Sequence, residues 1–273
     1  MPEGAAHIFE LPKDTPVYIG RQEFVIEYSV GKNVLHLGCV DVGLILNKQM
    51  KGLWLHERIH QVASSVWGVD MDVDGIQLMR SQGYAHLYQA DIEQLESIPE
   101  IANQEFDLIL LTEVLEHLDN PGNFLQSLKL LFKPNTELLV TVPNATSLGN
   151  IITNLNGREL VHPDHNYWYS WHTITTLFNK YGYATHCVGV YSQHDFRRSI
   201  SGHLWNKIRR PKDRPLTPPD RAKVQSIQQA EKRALAPNVT GWIKAVALTL
   251  SYRAMITRNP FFADGLIFIV KPV

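Results

Sequence analysis

Three residues at separate points of the chain have the chemistry to hold a nucleoside. Gly38 ends the apolar run Val34-Leu35-His36-Leu37 and opens a turn. A glycine there lets the backbone come close to a ligand. Asp70 closes a second run, Val66-Trp67-Gly68-Val69, and its carboxylate can accept from ribose hydroxyls. Asp91 follows a third run, residues 85–89, and can accept from an adenine amino group. If the three runs are parallel strands, their carboxyl ends share one sheet edge, beside the crevice where nucleotide-like ligands bind. The set fits an adenosine-containing cofactor. A nicotinamide dinucleotide fits less well. Its Gly-x-Gly-x-x-Gly turn lets backbone approach a pyrophosphate, and Val40 stands where the second glycine belongs. Asp70 and Asp91 could instead cap the helices that follow. Asp72 and Asp74 are better placed for that job after Asp70. For Asp91 the local pattern leaves both roles open.

The elements that would position these residues alternate regularly. The sequence predicts strands over 33–37, 66–70, 85–88, 106–111 and 137–142. Between them it predicts a long helical stretch over 44–65, a helix over 74–82 closed by Gly83, and a helix over 92–103 that Pro99 breaks or kinks. A further helix begins at Asn120-Pro121, with Pro121 in its first turn. Alternation of this kind implies right-handed crossovers and a parallel sheet covered on both faces. The apolar strands agree with burial on two sides. Residues 146–163 read as a polar loop, 172–181 as a helix ending at Gly182, 183–191 as a sixth strand and 265–271 as a last strand.

The 273 residues are 44% apolar and 19% charged, with a net charge of −1, as in globular proteins, and nothing global points to nucleic acid. The two cysteines, Cys39 and Cys187, show no pairing logic, which suggests a reducing cytoplasm. No basic region followed by an apolar run marks a signal peptide. The longest apolar stretch, 239–256, carries Lys244 and Arg253 and suits a core or interfacial helix better than a membrane span.

In order and spacing, the motifs Val34-Leu35-His36-Leu37-Gly38-Cys39, Gly68-Val69-Asp70, Ala90-Asp91-Ile92, Thr112-Glu113-Val114-Leu115-Glu116-His117, Leu131-Phe132-Lys133-Pro134 and Val142-Pro143-Asn144 resemble class I S-adenosylmethionine-dependent methyltransferases. The resembling branch holds ubiquinone-biosynthesis-type O-methyltransferases and bacterial small-molecule and glycan methyltransferases. The resemblance covers about residues 30–192 and the last strand. It implies a Rossmann-like, doubly wound α/β sheet of seven strands, mostly parallel with an antiparallel last strand, and a helical insertion before that strand. The implied organisation is a lead-in over 1–32, a cofactor-binding core over 33–192, a helical, basic insertion or acceptor cover over 193–262 and a terminal core strand over 263–273. The implied cofactor is S-adenosylmethionine, with S-adenosylhomocysteine as product. Gly38 and Cys39 would face its amino-acid part, Asp70 and Met71 its ribose side, Asp91 and Ile92 its adenine, and Thr112 and Glu113 its methyl group. The sequence departs from the family where His36 replaces an acid and Val40 a glycine. Asp41 is the candidate to replace that acid toward the cofactor's ammonium.

Acceptor recognition falls to residues 162–172, dense in histidine and aromatic side chains. His165 is the expected base, suited by an imidazole pKa near neutrality. His162, Tyr167 and Trp168 would shape the pocket. The competing reading is a packed lid with His165 bonded to backbone. Glu113, Glu116 and His117 have metal-ligand residue types, with structural hydrogen bonds in a helix start as the alternative. Arg197 to Arg214 holds seven Lys or Arg against one Asp, a solvated face by default. With 239–256 it could instead meet an anionic acceptor, a membrane surface or a second copy in a homodimer. The expected activity is methyl transfer to oxygen, less readily nitrogen, of a small-molecule, glycan or lipid-linked acceptor. A catalytically silent cofactor-binding partner of the same fold is the rival, and a nicotinamide oxidoreductase the third reading.

Overall fold

The computed structural model describes residues 7–193 and 251–273. The chain divides into two compact units, residues 1–194 with 259–273 and residues 195–258. In the second, residues 251–258 are helical. The basic tract 197–214 and the apolar stretch up to residue 250 lie outside the described residues, and the expected acceptor cover falls mostly there. Among the described residues no helix is long and apolar enough to cross a membrane.

The strands of the first unit are β1 (Val17–Ile19), β2 (Asn33–Leu37), β3 (Ser65–Asp70), β4 (Leu87–Gln89), β5 (Leu108–Thr112), β6 (Glu137–Pro143), β7 (Tyr183–Ser192) and β8 (Gly265–Pro272). They form one sheet in the order β1-β7-β8-β6-β5-β2-β3-β4. Only β8 runs antiparallel, between β6 and β7. The helices are α1 (Arg21–Tyr28), α2 (Ile45–Met50), α3 (Leu55–His60), α4 (Val73–Ser81), α5 (Pro99–Ala102), α6 (Pro121–Leu128), α7 (Leu148–Leu155) and α8 (Trp171–Lys180). Every residue of β5 is buried, as a central parallel strand covered by helices requires. On one side Val25, Leu55 and Ile59, from α1 and α3, pack on Val34, Val66 and Leu108. The chain runs from β2 outward through β3 and β4, then returns to lay β5 on the other side of β2. The carboxyl ends of β2 and β5 are therefore the topological switch point, where such sheets bind ligands.

The expected Rossmann-like sheet is present, with differences in its parts. It has eight strands, not seven. The extra one, β1, comes from the stretch read as a lead-in. It pairs in parallel with β7, and Gly189 leaves room for the Tyr18 ring. Three half-exposed residues carry no periodic signal, so pattern alone does not reveal them. The long helix over 44–65 is two short ones. Gly52, at φ +63°, ends α2 in the left-handed region, and the Leu53 N–H donates to Lys48 O at 2.8 Å, a Schellman-type stop. The stretch read as a loop after β6 contains α7, capped by Ser147, whose hydroxyl accepts from the Asn150 N–H. Pro99 does divide the helix over 92–103, leaving a 3-10 segment, Ile92–Ser97, before α5.

Candidate functional site

The turn after β2 is built by short-range bonds. Gly38 sits at φ +69°, and a Cβ there would strike the Val114 side chain. Backbone conformation and close packing thus both require glycine. The N–H groups of Gly38 and Cys39 donate to Val69 O at 2.9 and 3.3 Å. Asp70 braces the same turn from β3. Its Oδ2 accepts from the Val40 N–H at 2.8 Å and its Oδ1 from the Asp72 N–H at 3.0 Å. The Met71 N–H bonds the carboxylate as well, so three of its roughly four acceptor positions are taken and one is left for a ligand. Burial raises the Asp70 carboxyl above its usual value, against the pull of those N–H bonds. Asp72, not Asp70, caps α4.

Val40, the residue in place of a glycine, has a seat of its own. Its side chain lies over Gly75 of α4, where a Cβ would collide with it. The bulk points to the helix and joins the cluster of Cys39, Trp54, Ile76 and Met79. Cys39 is buried, and burial pushes its thiol well up, so it is unreactive at neutral pH.

A small cavity of about 30 Å³ at the switch point is lined by Gly38, Cys39, Asp41, Thr112, Arg21 and His36, among others. The sequence reading missed Arg21, whose only signal was a lone arginine after Gly20 at the start of α1. Burial alone would lower its guanidinium pKa, but Glu113, Tyr191, Asp41 and Glu116 more than offset this and hold it above its ordinary value. Its Nε is buried with no hydrogen-bond partner. Asp41 is also ion-paired to Lys48. A group carrying both a carboxylate and an ammonium fits this mixed lining.

Glu113 follows β5 at φ +57°, a left-handed conformation unusual outside glycine. Strain of this kind, about 1–3 kcal/mol, persists only where the surroundings enforce it. Here the Glu113 N–H donates to Thr141 O at 2.8 Å, and its carboxylate accepts from the hydroxyls of Thr141 and Tyr191, both at 2.9 Å.

Asp70 and Met71 line a second cavity, of about 790 Å³, with Val42, Leu46 and Leu78. Exposed Val42, Leu46 and Met71 give it apolar walls. Asp91 lines a third, of about 470 Å³, with Asp119 and Asn123. Its Oδ1 caps the 3-10 segment by accepting from the Glu93 N–H at 2.8 Å. Ile92 is buried beside it. The Ala90 N–H donates to Asp70 O at 3.0 Å, so the ends of β3 and β4 stand side by side. Gly38, Asp70 and Asp91 thus lie along one rim but border different cavities.

Past β6 the same rim carries a cavity of about 310 Å³. His162, His165, Tyr167 and Trp168, the expected acceptor residues, all line it, with Ser147 and Asn150 from the start of α7. Long-range bonds hold the segment in place. Glu116 O accepts from the N–H groups of Asn166 and Tyr167 at 2.8 and 3.1 Å. Asn166 Nδ2 donates to His117 O at 2.9 Å, and the Tyr167 hydroxyl to Asp119 O at 3.0 Å. Burial, with His117 and His162 alongside, keeps the His165 imidazole below its ordinary pKa. Glu116 is 1% exposed and neither carboxylate oxygen has a partner. Burial, then Glu113, push its carboxyl up to about 9.

A family model described as a methyltransferase domain matches residues 24–188. The ubiquinone biosynthesis O-methyltransferase of Glaesserella parasuis is 31% identical over 124 residues, 43% of this chain and 48% of that protein. Its counterpart from Haemophilus ducreyi is 30% identical over 122 residues, 42% of this chain and 47% of that one. The chain spans about half the length of the curated relatives it matches. A solved S-adenosylmethionine-dependent methyltransferase from Archaeoglobus fulgidus is 14% identical over 92% of this chain and 95% of its own, at a TM-score of 0.48.

Proposed function

Because the chain belongs to the methyltransferase-domain family, we propose that it moves a methyl group from S-adenosylmethionine to an oxygen of a small-molecule, sugar or lipid-linked acceptor. The observation that carries the reading is the shared rim. A mixed-charge cavity closes the switch point between β2 and β5, and a histidine-lined cavity follows the next strand on the same edge. The relatives' activity on oxygen in ubiquinone biosynthesis supports an oxygen acceptor.

When bound, the cofactor supplies an electrophilic methyl group on a positively charged sulfur that leaves as a neutral thioether. The residues present fit it. Arg21, with its unpartnered Nε, would take the amino-acid carboxylate, and Asp41 the ammonium. Gly38 and Cys39 give backbone room, and Thr112 and Glu113 close the sulfur side. The remaining lone pair of Asp70 suits a ribose hydroxyl, Met71 and its apolar neighbours the nucleoside, and Asp91 and Ile92 the adenine. On the acceptor side the chain chiefly supplies position, with Tyr167 and Trp168 as walls. His165 takes the hydroxyl proton as the new carbon–oxygen bond forms.

Calorimetry with S-adenosylmethionine and S-adenosylhomocysteine tests the reading. Wild type binds both, and Asp70→Ala binds about 10-fold more weakly, the worth of one or two hydrogen bonds. Wild type that binds neither compound refutes the reading. A second reading is a cofactor-binding partner without turnover, for which the departure at Val40 and Asp41 in the turn after β2 is the motive. Binding without methylation of any acceptor in a broad metabolite screen would select it.

A further inference from the structure

His117 comes from the turn after β5, whereas His162 and His165 come from the segment before α8. One ring nitrogen from each lies within 4.8 Å of the others. The rings stand edge to face or tilted, with centroids 4.6 Å apart for His117–His165, 5.4 Å for His162–His165 and 5.8 Å for His117–His162. They converge on a common point and do not stack on one another. We propose that His117, His162 and His165 bind a borderline divalent cation of the zinc class.

Four observations support this. Imidazole nitrogen is the donor that zinc, cobalt and nickel prefer over calcium or magnesium. Nitrogens about 2.0–2.1 Å from one ion in a tetrahedron stand roughly 3.4 Å apart, so small side-chain rotations close the present spacing. His117 Nδ1 lies 3.1 Å from Asp164 O. Donating there fixes the tautomer and turns Nε2 to the ion, the usual outer support of a ligating histidine. His162 Nδ1 instead accepts from the Asp164 N–H at 3.3 Å, so that ring shifts its proton or turns when it takes the ion. Independently, Glu116 Oε1 is 3.9 Å from His165 Nε2. This is a buried carboxyl group with no hydrogen-bond partner on either oxygen, aimed into the cluster, and a cation there gives it the partner it lacks. His162 is exposed, which leaves a path for entry.

A three-histidine zinc site keeps a fourth position open, and His162 and His165 are in the wall of the 310 Å³ cavity. On the methyl-transfer reading that position faces the acceptor oxygen. Metal and proton compete for the same imidazole nitrogens. The proton-accepting role of His165 therefore belongs to the metal-free protein. With an ion held by His117, His162 and His165, its positive charge would polarise the acceptor oxygen, and the proton would pass to solvent.

The test is a titration of the chelator-treated 273-residue chain with Co²⁺, followed by its visible ligand-field absorption and then by displacement with Zn²⁺. One ion per chain binds wild type. Glu116→Gln binds about 10–100-fold more weakly, as outer partners cost, and His162→Ala with His165→Ala loses the absorption. Absence of saturable binding, or wild-type affinity in the double variant, overturns the proposal. His162 is exposed, so His162→Ala alone keeps the fold and serves as a second variant, with retained thermal unfolding as control. S-adenosylmethionine binding by calorimetry is unchanged in all variants. Its absence in wild type would count against the methyl-transfer reading and not against the ion.

Discussion

Mild acid should loosen the protein through the wall of its small cavity. His36 of β2 and His56 of α3 are 2% and 0% exposed and face each other Nδ1 to Nδ1 at 3.2 Å. One nitrogen must donate and the other accept, so both rings cannot carry charge in this geometry. Asp41, Arg21 and His60 act electrostatically on the pair, and the Tyr84 ring packs edge-on against His56. Burial dominates, and it takes His36 from 6.5 down to about 4 and His56 well below its ordinary value. The unfolded chain then binds more protons than the folded one between the two values, so stability is intact above about pH 6.5 and falls as pH drops toward 4. At 1.36 kcal/mol per unit, His36 alone costs about 2 kcal/mol between pH 7 and pH 5, and about 3 kcal/mol by pH 4. His56 adds to this in the same direction. Urea unfolding at pH 7 and pH 5 reads the difference. Replacing both residues by Asn lowers stability at each pH through lost packing but removes most of the pH dependence. A wild-type change below about 0.5 kcal/mol, or an equal change in the double variant, would refute the assignment of two neutral buried imidazoles.

Two further outcomes follow from the packing. Gly75→Ala drives a methyl into Val40 and should cost about 1–3 kcal/mol in chemical denaturation. Adding Val40→Ala should recover most of it, and additive losses would mean the two residues do not couple. Asn166→Ala removes its bonds to His117 O and Asp119 Oδ1. By hydrogen exchange it should free residues 162–170 about 10-fold while leaving β2 and β5 protected, and uniform exchange would show that the anchor lies elsewhere.

What the sequence determined alone lies within a few residues of itself. The run ending at Gly38 makes a strand and a turn because glycine admits the left-handed conformation. Asp72 caps α4 because its side chain reaches the N–H of Gly75 at 3.0 Å, and Pro99 stops a helix because it lacks an N–H. Strand alternation then dictates a parallel sheet, and with it the shared rim of Gly38, Asp70 and Asp91. The stop at Gly52 was equally local and legible, although the apolar pattern ran past it. The tertiary structure decided the rest. Arg21 enters the switch-point cavity only because α1 packs over β2. Val40 is harmless only because α4 presents Gly75. His117 meets His162 and His165, and Glu116 loses water without gaining a bond, because a segment nearly 50 residues further on folds back over the end of β5. Contacts at that separation leave no periodicity in the chain. They exist only once the sheet has closed the loop and offset its entropy with burial.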